Sequence, residues 1–266
     1  MNNLHRELAP ISEAAWGQIE DEARRTFKRW IAGRRVVDLV GPCGPTLSAV
    51  GTGHLRSLEA PSPGVIARQR EAQLVVELRV PFYVTRAAVD DVERGAQDSD
   101  WEPVKDAVKK IALAEDHAVF HASVSWGIVG IAPSSSNAAV TLPSDVRQLP
   151  DSVAQSLTRL RLAGVDGPYS LLLSADLYTA VSETTDHGYP VRDHIARLLD
   201  GEIIWAPALD GALLLTTRGG DYELHLGQDL SIGYFSHDDE RVQLYHQESL
   251  TFFAYTSEAS VVLTGG

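Results

Sequence analysis

The side chains best able to do chemistry in this sequence are two histidines spaced four residues apart. His117 and His121 lie on a predicted helix beside Glu115 and Asp116. Two imidazoles on one face of a helix can bind zinc or copper, but a protein site needs at least one further ligand, and no segment signals one. The simpler interpretation is a solvated or interface face of the helix, and we predict no metal site.

Two other polar groups could support acid–base chemistry: the loop that carries Asp186, His187 and Tyr189, and the acidic run Asp90–Glu93. A chain of this length commonly offers such neighbours, and without a pocket or a fixed geometry they indicate a polar loop and a solvated helix face. The sequence also lacks a Gly-x-Ser-x-Gly nucleophile motif and a phosphate-binding Gly-x-x-x-x-Gly-Lys motif. We therefore predict no catalytic residues and a protein that is not an enzyme.

The composition is that of an ordinary globular protein. Apolar residues make up 44% of the 266 residues and charged residues 22%, values that permit a packed core. Cys43 is the only cysteine, so no disulfide can form within the chain, which agrees with a reducing, cytoplasmic location. No apolar run approaches the roughly 18 residues of a membrane span, and the first residues carry no signal-peptide pattern.

The net charge of −13 disfavours one class of partner. Acidic chains repel phosphate backbones, so we do not expect nucleic acid to bind. The net charge averages over every surface of the protein, however, so a local basic patch is compatible with it.

Helices are predicted by apolar residues that recur every three or four positions. The first helix is expected from Ser12, a suitable N-cap, to Ile31. A short helix is expected from Ala87 to Glu93, and a second long helix from about Asp100 to Ser123. The apolar stripe of the first helix consists of Trp16, Ile19, Ala23, Phe27 and Ile31.

The remaining segments are rich in short strands. Residues Thr46–Leu78 read as an extended, two-stranded excursion with too few apolar residues to form a core alone. Helices are expected near 151–163, after Ser174 and at 191–199. Strands are expected at Tyr169–Leu173, Ile203–Trp205, Ala212–Thr217, Tyr222–Leu226, Leu230–Tyr234, Val242–Tyr245 and Leu250–Thr256. Runs of strands that are separate from the helices predict an α+β fold.

Several long segments resemble the encapsulins, bacterial shell proteins that are also described as linocin-like bacteriocins. The similarity covers nearly the whole chain in one order, and it looks greatest to actinobacterial members. The segments are NNLHRELAPISEAAWGQIEDEARRTFKRWIAGRRVVD, DDVERG, AGVDGPYSLLLSADLYTAVSETTDHGYPVRDH, GEIIWAPALDGALLLTTRGGDYELHLGQDLSIGY and ESLTFFAYTSEASVVL.

This resemblance implies the α+β fold of the major capsid proteins of tailed phages. Residues 1–45 would hold the N-terminal helix and the start of a peripheral domain, and residues 46–78 the extended loop. Residues 79–133 would complete the peripheral domain with its long spine helix. Residues 134–218 would form the axial domain, and residues 219–266 would return to the peripheral domain.

The resemblance also implies a function: a subunit that self-assembles into a hollow icosahedral compartment and encloses a cargo enzyme. In the family a C-terminal peptide of the cargo docks on the inner wall of the shell. A dye-decolourising peroxidase or a ferritin-like protein is the implied cargo. The positions that match the docking site are Phe27, Trp30, Ile31, Arg34, Asp38, Asp229, Leu230 and Ile232. The loop that lines the fivefold pore matches Thr184, Thr185, Asp186, His187 and Tyr189.

One departure from the family pattern concerns cofactors. Some encapsulins bind flavin through a Trp just before the segment that matches DDVERG, and here Ala87 stands at that position. We therefore expect no flavin there and no cofactor. Two competing interpretations remain, a hydrolase or bacteriocin-type activity and a phage capsid protein; the first lacks a nucleophile–base pair, and the acidic charge and the full-length similarity argue against the second.

Overall fold

A computed structural model describes residues 3–265, so residues 1, 2 and 266 of the predicted first and last segments lie outside it. The first long helix begins after Ser12, as predicted, because the Ser12 hydroxyl accepts a hydrogen bond from the backbone N–H of Ala15. It ends at Trp30, one residue earlier than expected. The helices are α1 (Glu13–Trp30), α2 (Arg86–Glu93), α3 (Glu102–Phe120), α4 (Ile131–Ser134), α5 (Leu149–Leu162), α6 (Ala175–Glu183) and α7 (Val191–Ala196).

The strands of the described residues form two five-stranded sheets and two two-stranded hairpins. They are β1 (Asp38–Val40), β2 (Ala49–Leu58), β3 (Ala67–Leu74), β4 (Val76–Thr85), β5 (Val140–Thr141), β6 (Tyr169–Leu173), β7 (Thr185–Asp186), β8 (Tyr189–Pro190), β9 (Ile203–Trp205), β10 (Ala212–Thr216), β11 (Tyr222–Leu226), β12 (Ser231–His237), β13 (Arg241–Ala254) and β14 (Ser260–Thr264). The first sheet has the order β1–β11–β13–β12, and β4 also pairs with β13. The second has the order β5–β14–β10–β6–β9.

The central strand of the first sheet differs from the prediction. The segments Val242–Tyr245 and Leu250–Thr256 are expected as two strands, but the first and most of the second belong to the single 14-residue strand β13, which ends at Ala254. The polar run His246–Ser249 suggested a break, but it is buried in the middle of the strand, which pairs with β12 and β4 there. Polar side chains occupy a central strand here because partners elsewhere in the fold satisfy several of them.

Residues 219–266 contribute strands to both sheets. Strands β11, β12 and β13 belong to the first sheet, whereas β14, which the sequence did not predict, pairs with β10 in the second. The Gly219–Gly220 turn therefore does not join paired strands. Both glycines have positive φ, 87° and 80°, and they connect β10 of one sheet to β11 of the other.

The predicted extended excursion is a two-stranded hairpin formed by β2 and β3, which we call the arm (residues 49–74). The last residues of the predicted segment, 76–78, instead begin β4 of the first sheet. Most residues of the arm are exposed, including Leu55, Leu58, Ile66 and Leu74. The arm therefore has no core of its own, as expected.

Three clusters of buried side chains hold the remainder of the molecule together. The first lies between α1, α2, α3 and the first sheet; the second lies where α3 meets both sheets; and the third packs α5, α6 and α7 on the second sheet. This mixture of helices and sheets agrees with the predicted α+β class. None of the helices in residues 3–265 is both long enough and apolar enough to span a bilayer.

Candidate functional site

Five of the eight residues predicted to bind cargo line one groove. The groove has a volume of about 390 Å³ and lies between the C-terminal half of α1, the N-terminal segment and the start of β12. Its predicted members are Phe27, Arg34, Asp229, Leu230 and Ile232. Residues at least 195 positions apart in sequence are brought together here, because α1 packs against the sheet that contains β12.

The floor of the groove is part of the first core. Phe27 is only 8% exposed, and Ala23 and Ile232 are buried as well. The N-terminal segment closes one side, where the carbonyl of Leu4 accepts a hydrogen bond from the N–H of Tyr234 at 2.8 Å. The groove is thus a shallow apolar surface on an already packed core, and Leu230, which is half-buried, is its most accessible predicted apolar residue.

A buried charge cluster lies beneath one end of the groove. The Arg34 guanidinium donates two hydrogen bonds to Glu115, at 2.7 and 2.6 Å, and one to Asp229 at 2.7 Å. It also donates a longer bond to Glu248, at 3.4 Å, and its Cζ lies 4.7 Å from the centre of the Phe27 ring. Arg34 therefore fixes both the wall and the floor of the groove.

The carboxyl groups of this cluster differ in exposure. Glu115 and Glu248 are fully buried, whereas Asp229 is nearly half exposed at the groove. Burial raises the pKa of Glu248 well above its usual value, and repulsion from Glu115 adds to the shift while Arg34 opposes it. Glu248 therefore keeps its proton to a higher pH than an exposed carboxyl group does, and it then adds no negative charge to the carboxylates that Arg34 balances.

The turn after α1 is fixed by a neighbouring carboxylate. The two oxygens of Asp116 accept hydrogen bonds from the N–H groups of Ala32 and Gly33, at 2.8 and 2.7 Å. A Cβ at position 33 would lie 2.9 Å from one of those oxygens, so glycine allows this close approach. Asp116 thereby fixes the turn that positions Arg34 at the C-terminal end of α1.

Trp30, Ile31 and Asp38, also predicted to bind cargo, do not line the groove. The Trp30 ring packs against Trp205 with 5.0 Å between ring centres. Ile31 is buried and lines a second cleft, which lies beside the groove at the C-terminal end of α1. Asp38 lies in β1 and accepts a hydrogen bond from the N–H of Gly220 at 2.6 Å, so its carboxylate holds the turn between the sheets.

Sequence reasoning missed other residues of the groove. The exposed cations Arg24 and Lys28 lie one turn apart on α1, beside its apolar stripe. The helical periodicity could therefore have identified them. The N-terminal residues carried no such signal, because their position depends on tertiary contacts. The remaining lining residues are Leu4, Arg6, Glu20, Ala23 and Ser231.

The residues predicted to line a pore form a small hairpin between α6 and α7. Strands β7 and β8 are joined by His187 and Gly188, which both have positive φ, 46° and 81°, as a two-residue hairpin turn requires. The side chain of His187 is 96% exposed at the tip. Tyr189 instead turns back towards α7, where Arg197 donates a hydrogen bond to its hydroxyl.

The remaining residues singled out by the sequence are the histidine pair near the end of α3 and Ala87. The rings of His117 and His121 lie 4.9 Å apart, and Nε2 of His121 is 3.0 Å from the carbonyl of Ala208. Within residues 3–265 no group of three or more His, Cys, Asp or Glu side chains could hold a metal ion. Ala87 is exposed in the first turn of α2.

Comparison with known proteins identifies the family. A family model described as "Encapsulating protein for peroxidase" matches residues 1–251. The chain belongs to the encapsulin family. A type 1 encapsulin shell protein of Rhodococcus erythropolis is 63% identical over 263 residues, which cover 99% of this chain and 100% of that protein. The resemblance of the sequence to encapsulins, actinobacterial ones included, is therefore confirmed.

Solved structures show which fold the encapsulin chain shares. A virus-like particle from Pyrococcus furiosus aligns with a TM-score of 0.64 at 14% identity and covers 93% of this chain and 98% of its own. A structure from Mycobacterium phage Cain aligns with a TM-score of 0.55 at 16% identity, covering 89% and 90%. At such low identity the likeness concerns the fold alone, and it confirms the predicted capsid-like fold.

Proposed function

We propose that the chain is the shell subunit of a closed icosahedral compartment in the cytoplasm, and that the compartment encloses an enzyme. Its role is structural rather than catalytic. Membership of the encapsulin family and the capsid-like fold support assembly. The exposed arm supports it independently, because its apolar side chains would be buried against a neighbouring subunit of the shell.

The groove beside α1 is the proposed docking site for a C-terminal peptide of the cargo. The observation that carries this proposal is the meeting of Phe27, Arg34, Asp229, Leu230 and Ile232 in one groove. An apolar floor with charged side chains at its edge suits an extended peptide, whose apolar side chains fill the floor while the charges orient it. The description of the family model supports a peroxidase as the cargo, and a ferritin-like protein is the second candidate.

The hairpin of β7 and β8 is the proposed pore element. Asp186 and His187 are the side chains at its tip, and copies arranged around a symmetry axis would form a ring of them. Such a ring selects small solutes by size and charge. Thr184 and Thr185 lead into the hairpin, and Tyr189 fixes its base on α7.

The docking proposal is tested by co-expression with a fluorescent protein that ends in the C-terminal segment of a peroxidase cargo. Leu230→Asp should give assembled but empty particles, because docking would leave the new carboxylate desolvated; the loss at such an interface position is about 2 kcal/mol or more. Leu162→Asp is the matched control, since Leu162 is exposed on α5 and outside the groove. Particles of the Leu230 variant that fill as the wild type does would refute the docking site.

A further inference from the structure

A second cleft lies beside the groove, at the C-terminal end of α1. It has a volume of about 590 Å³ and is lined by the end of α1, by α6 and α7, and by the segment that leads into β9. This volume falls in the range of about 300–1,000 Å³ that is usual for small-molecule sites. Lys28 lines both the cleft and the groove, so the two open next to each other.

The walls of the cleft are basic although the chain is acidic. Lys28, Arg29, Arg35 and Arg192 line it, against one carboxylate, that of Glu202. Glu202 pairs with Arg35 at 2.5 Å. Among residues 3–265 no carboxylate lies within ion-pair distance of the other three cations. A cluster of unpaired cations in a protein of net charge −13 is suited to an anion.

Two aromatic side chains complete the cleft. Trp205 and Tyr178 line the same cavity as the four cations. The Arg29 guanidinium lies 5.5 Å from the centre of the Trp205 ring, and Trp30 packs against that ring in a tilted contact with 5.0 Å between ring centres. Flat aromatic surfaces stack on planar rings, and Arg side chains bind phosphate oxygens with paired hydrogen bonds.

We propose that this cleft binds a nucleoside phosphate, with the phosphates on the Arg and Lys side chains and the base on Trp205 or Tyr178. A small anion would need no aromatic wall, and a neutral ring would need no cations. The combination of both in one cleft favours a ligand that carries an anionic group and a planar ring. The proposal goes beyond the shell function and does not depend on the groove holding a cargo peptide.

The test measures ATP binding to the purified protein, in the state in which it is isolated, by equilibrium dialysis and by quenching of tryptophan fluorescence. Adenosine and inorganic triphosphate are the comparison ligands, and each should bind at least about ten-fold more weakly than ATP, because each lacks half of the contacts. Binding of ATP should also weaken as salt is added. Equal binding of ATP and adenosine, or of ATP and triphosphate, would overturn the proposal.

Variants locate the site. Arg29→Gln and Arg192→Gln should each weaken ATP binding several-fold, and together about ten-fold or more. Arg24→Gln is the matched control, because Arg24 is an exposed arginine on the same helix that lines the groove and not the cleft. Unchanged binding in the double variant would overturn the proposal. A polynucleotide that binds at least ten-fold more tightly per site than ATP would overturn it too, in favour of a strand-binding surface.

Discussion

At the scale of single residues, the groove depends on a cluster of charges that would be costly if any member were removed. Arg34 is only 13% exposed and contacts three carboxyl groups. Buried charges persist where each has a partner, and loss of one partner commonly costs about 3–5 kcal/mol. Because burial raises the pKa of Glu248 well above its ordinary value, this carboxyl group should make stability depend on pH.

Glu248→Gln should reduce that dependence. The folded pKa of Glu248 is raised, so the folded protein keeps a proton that the unfolded chain releases above its ordinary value of 4.5. The contribution of this proton to the free energy of unfolding is therefore complete below the ordinary pKa and is lost as the pH rises through the folded pKa of Glu248. We expect the Tm of the variant, at a fixed heating rate, to exceed that of the wild type by a few degrees at the alkaline end. Glu258→Gln, an exposed control, should show the wild-type slope; an identical slope for Glu248→Gln would contradict the assignment.

Phe27→Asp should prevent folding rather than only weaken docking. Phe27 lies in the first core as well as in the groove, and an unpaired carboxylate there would be buried. We expect insoluble or unassembled protein, whereas Phe27→Leu should fold with a loss of about 1–2 kcal/mol. Soluble, assembled Phe27→Asp particles without cargo would show that the ring serves docking alone.

At the scale of elements, periodicity predicted those whose neighbours lie nearby in sequence. The stripe and the Ser12 cap located α1 to within one residue at its end. The sequence failed at β13 because burial of His246–Ser249 depends on residues far away: Arg34 reaches Glu248, and Arg79 donates to Gln247. Strand β14 carried a usable signal in Val261, Val262 and Leu263, which favour strands.

The candidate site followed the same division. Family resemblance led to Phe27 and Leu230, but only the packing of α1 on the first sheet shows that they share a groove. It also separates them from Trp30 and Asp38, which support α1 and the turn between the sheets. Sequence periodicity shows which face of a helix is apolar, but it does not show which part of that face reaches the surface.

The hairpin of β7 and β8 should control solute entry as a unit. Replacing residues 184–189 by Gly and Ser would remove both the tip side chains and the contact of Tyr189 with α7. We expect uptake of small ions into assembled particles, followed by stopped-flow quenching of an enclosed dye, to become several-fold faster. Leu162→Asp, an exposed position on α5 outside the hairpin, is the control and should leave uptake unchanged. Unchanged uptake in the replaced hairpin would place solute entry elsewhere.

At the scale of the whole molecule, composition sets what the particles should contain. The chain carries a net charge of −13, and Ala87 offers no aromatic surface for a flavin. Purified particles should therefore show neither a nucleic-acid absorbance band after nuclease treatment nor the visible bands of flavin. A stoichiometric amount of either would contradict the expectation. The basic cleft does not alter it once the particles have been dialysed at high salt, because the proposed ligand is a single nucleotide whose binding weakens with salt.

The arm sets how the particle should assemble, because its exposed apolar side chains need a partner that the isolated chain does not provide. Ile66, 79% exposed, and Leu58 lie on the arm beyond the reach of the cores. The double variant Leu58→Asp, Ile66→Asp should leave the fold intact, since neither side chain supports the cores. At each contact between subunits, however, the variant would bury two charges, and this cost should prevent closure of the shell. For the wild type, size-exclusion chromatography with electron microscopy should show uniform particles far larger than the 28.9 kDa chain. For the variant, the same measurements should show small species, and their circular dichroism spectrum should match that of the wild type. Leu162→Asp serves as the control and should assemble, because Leu162 is 84% exposed and lies outside the arm. A wild-type monomer would refute the shell function itself, and an arm variant that closes normally would show that the contacts between subunits lie elsewhere on the molecule.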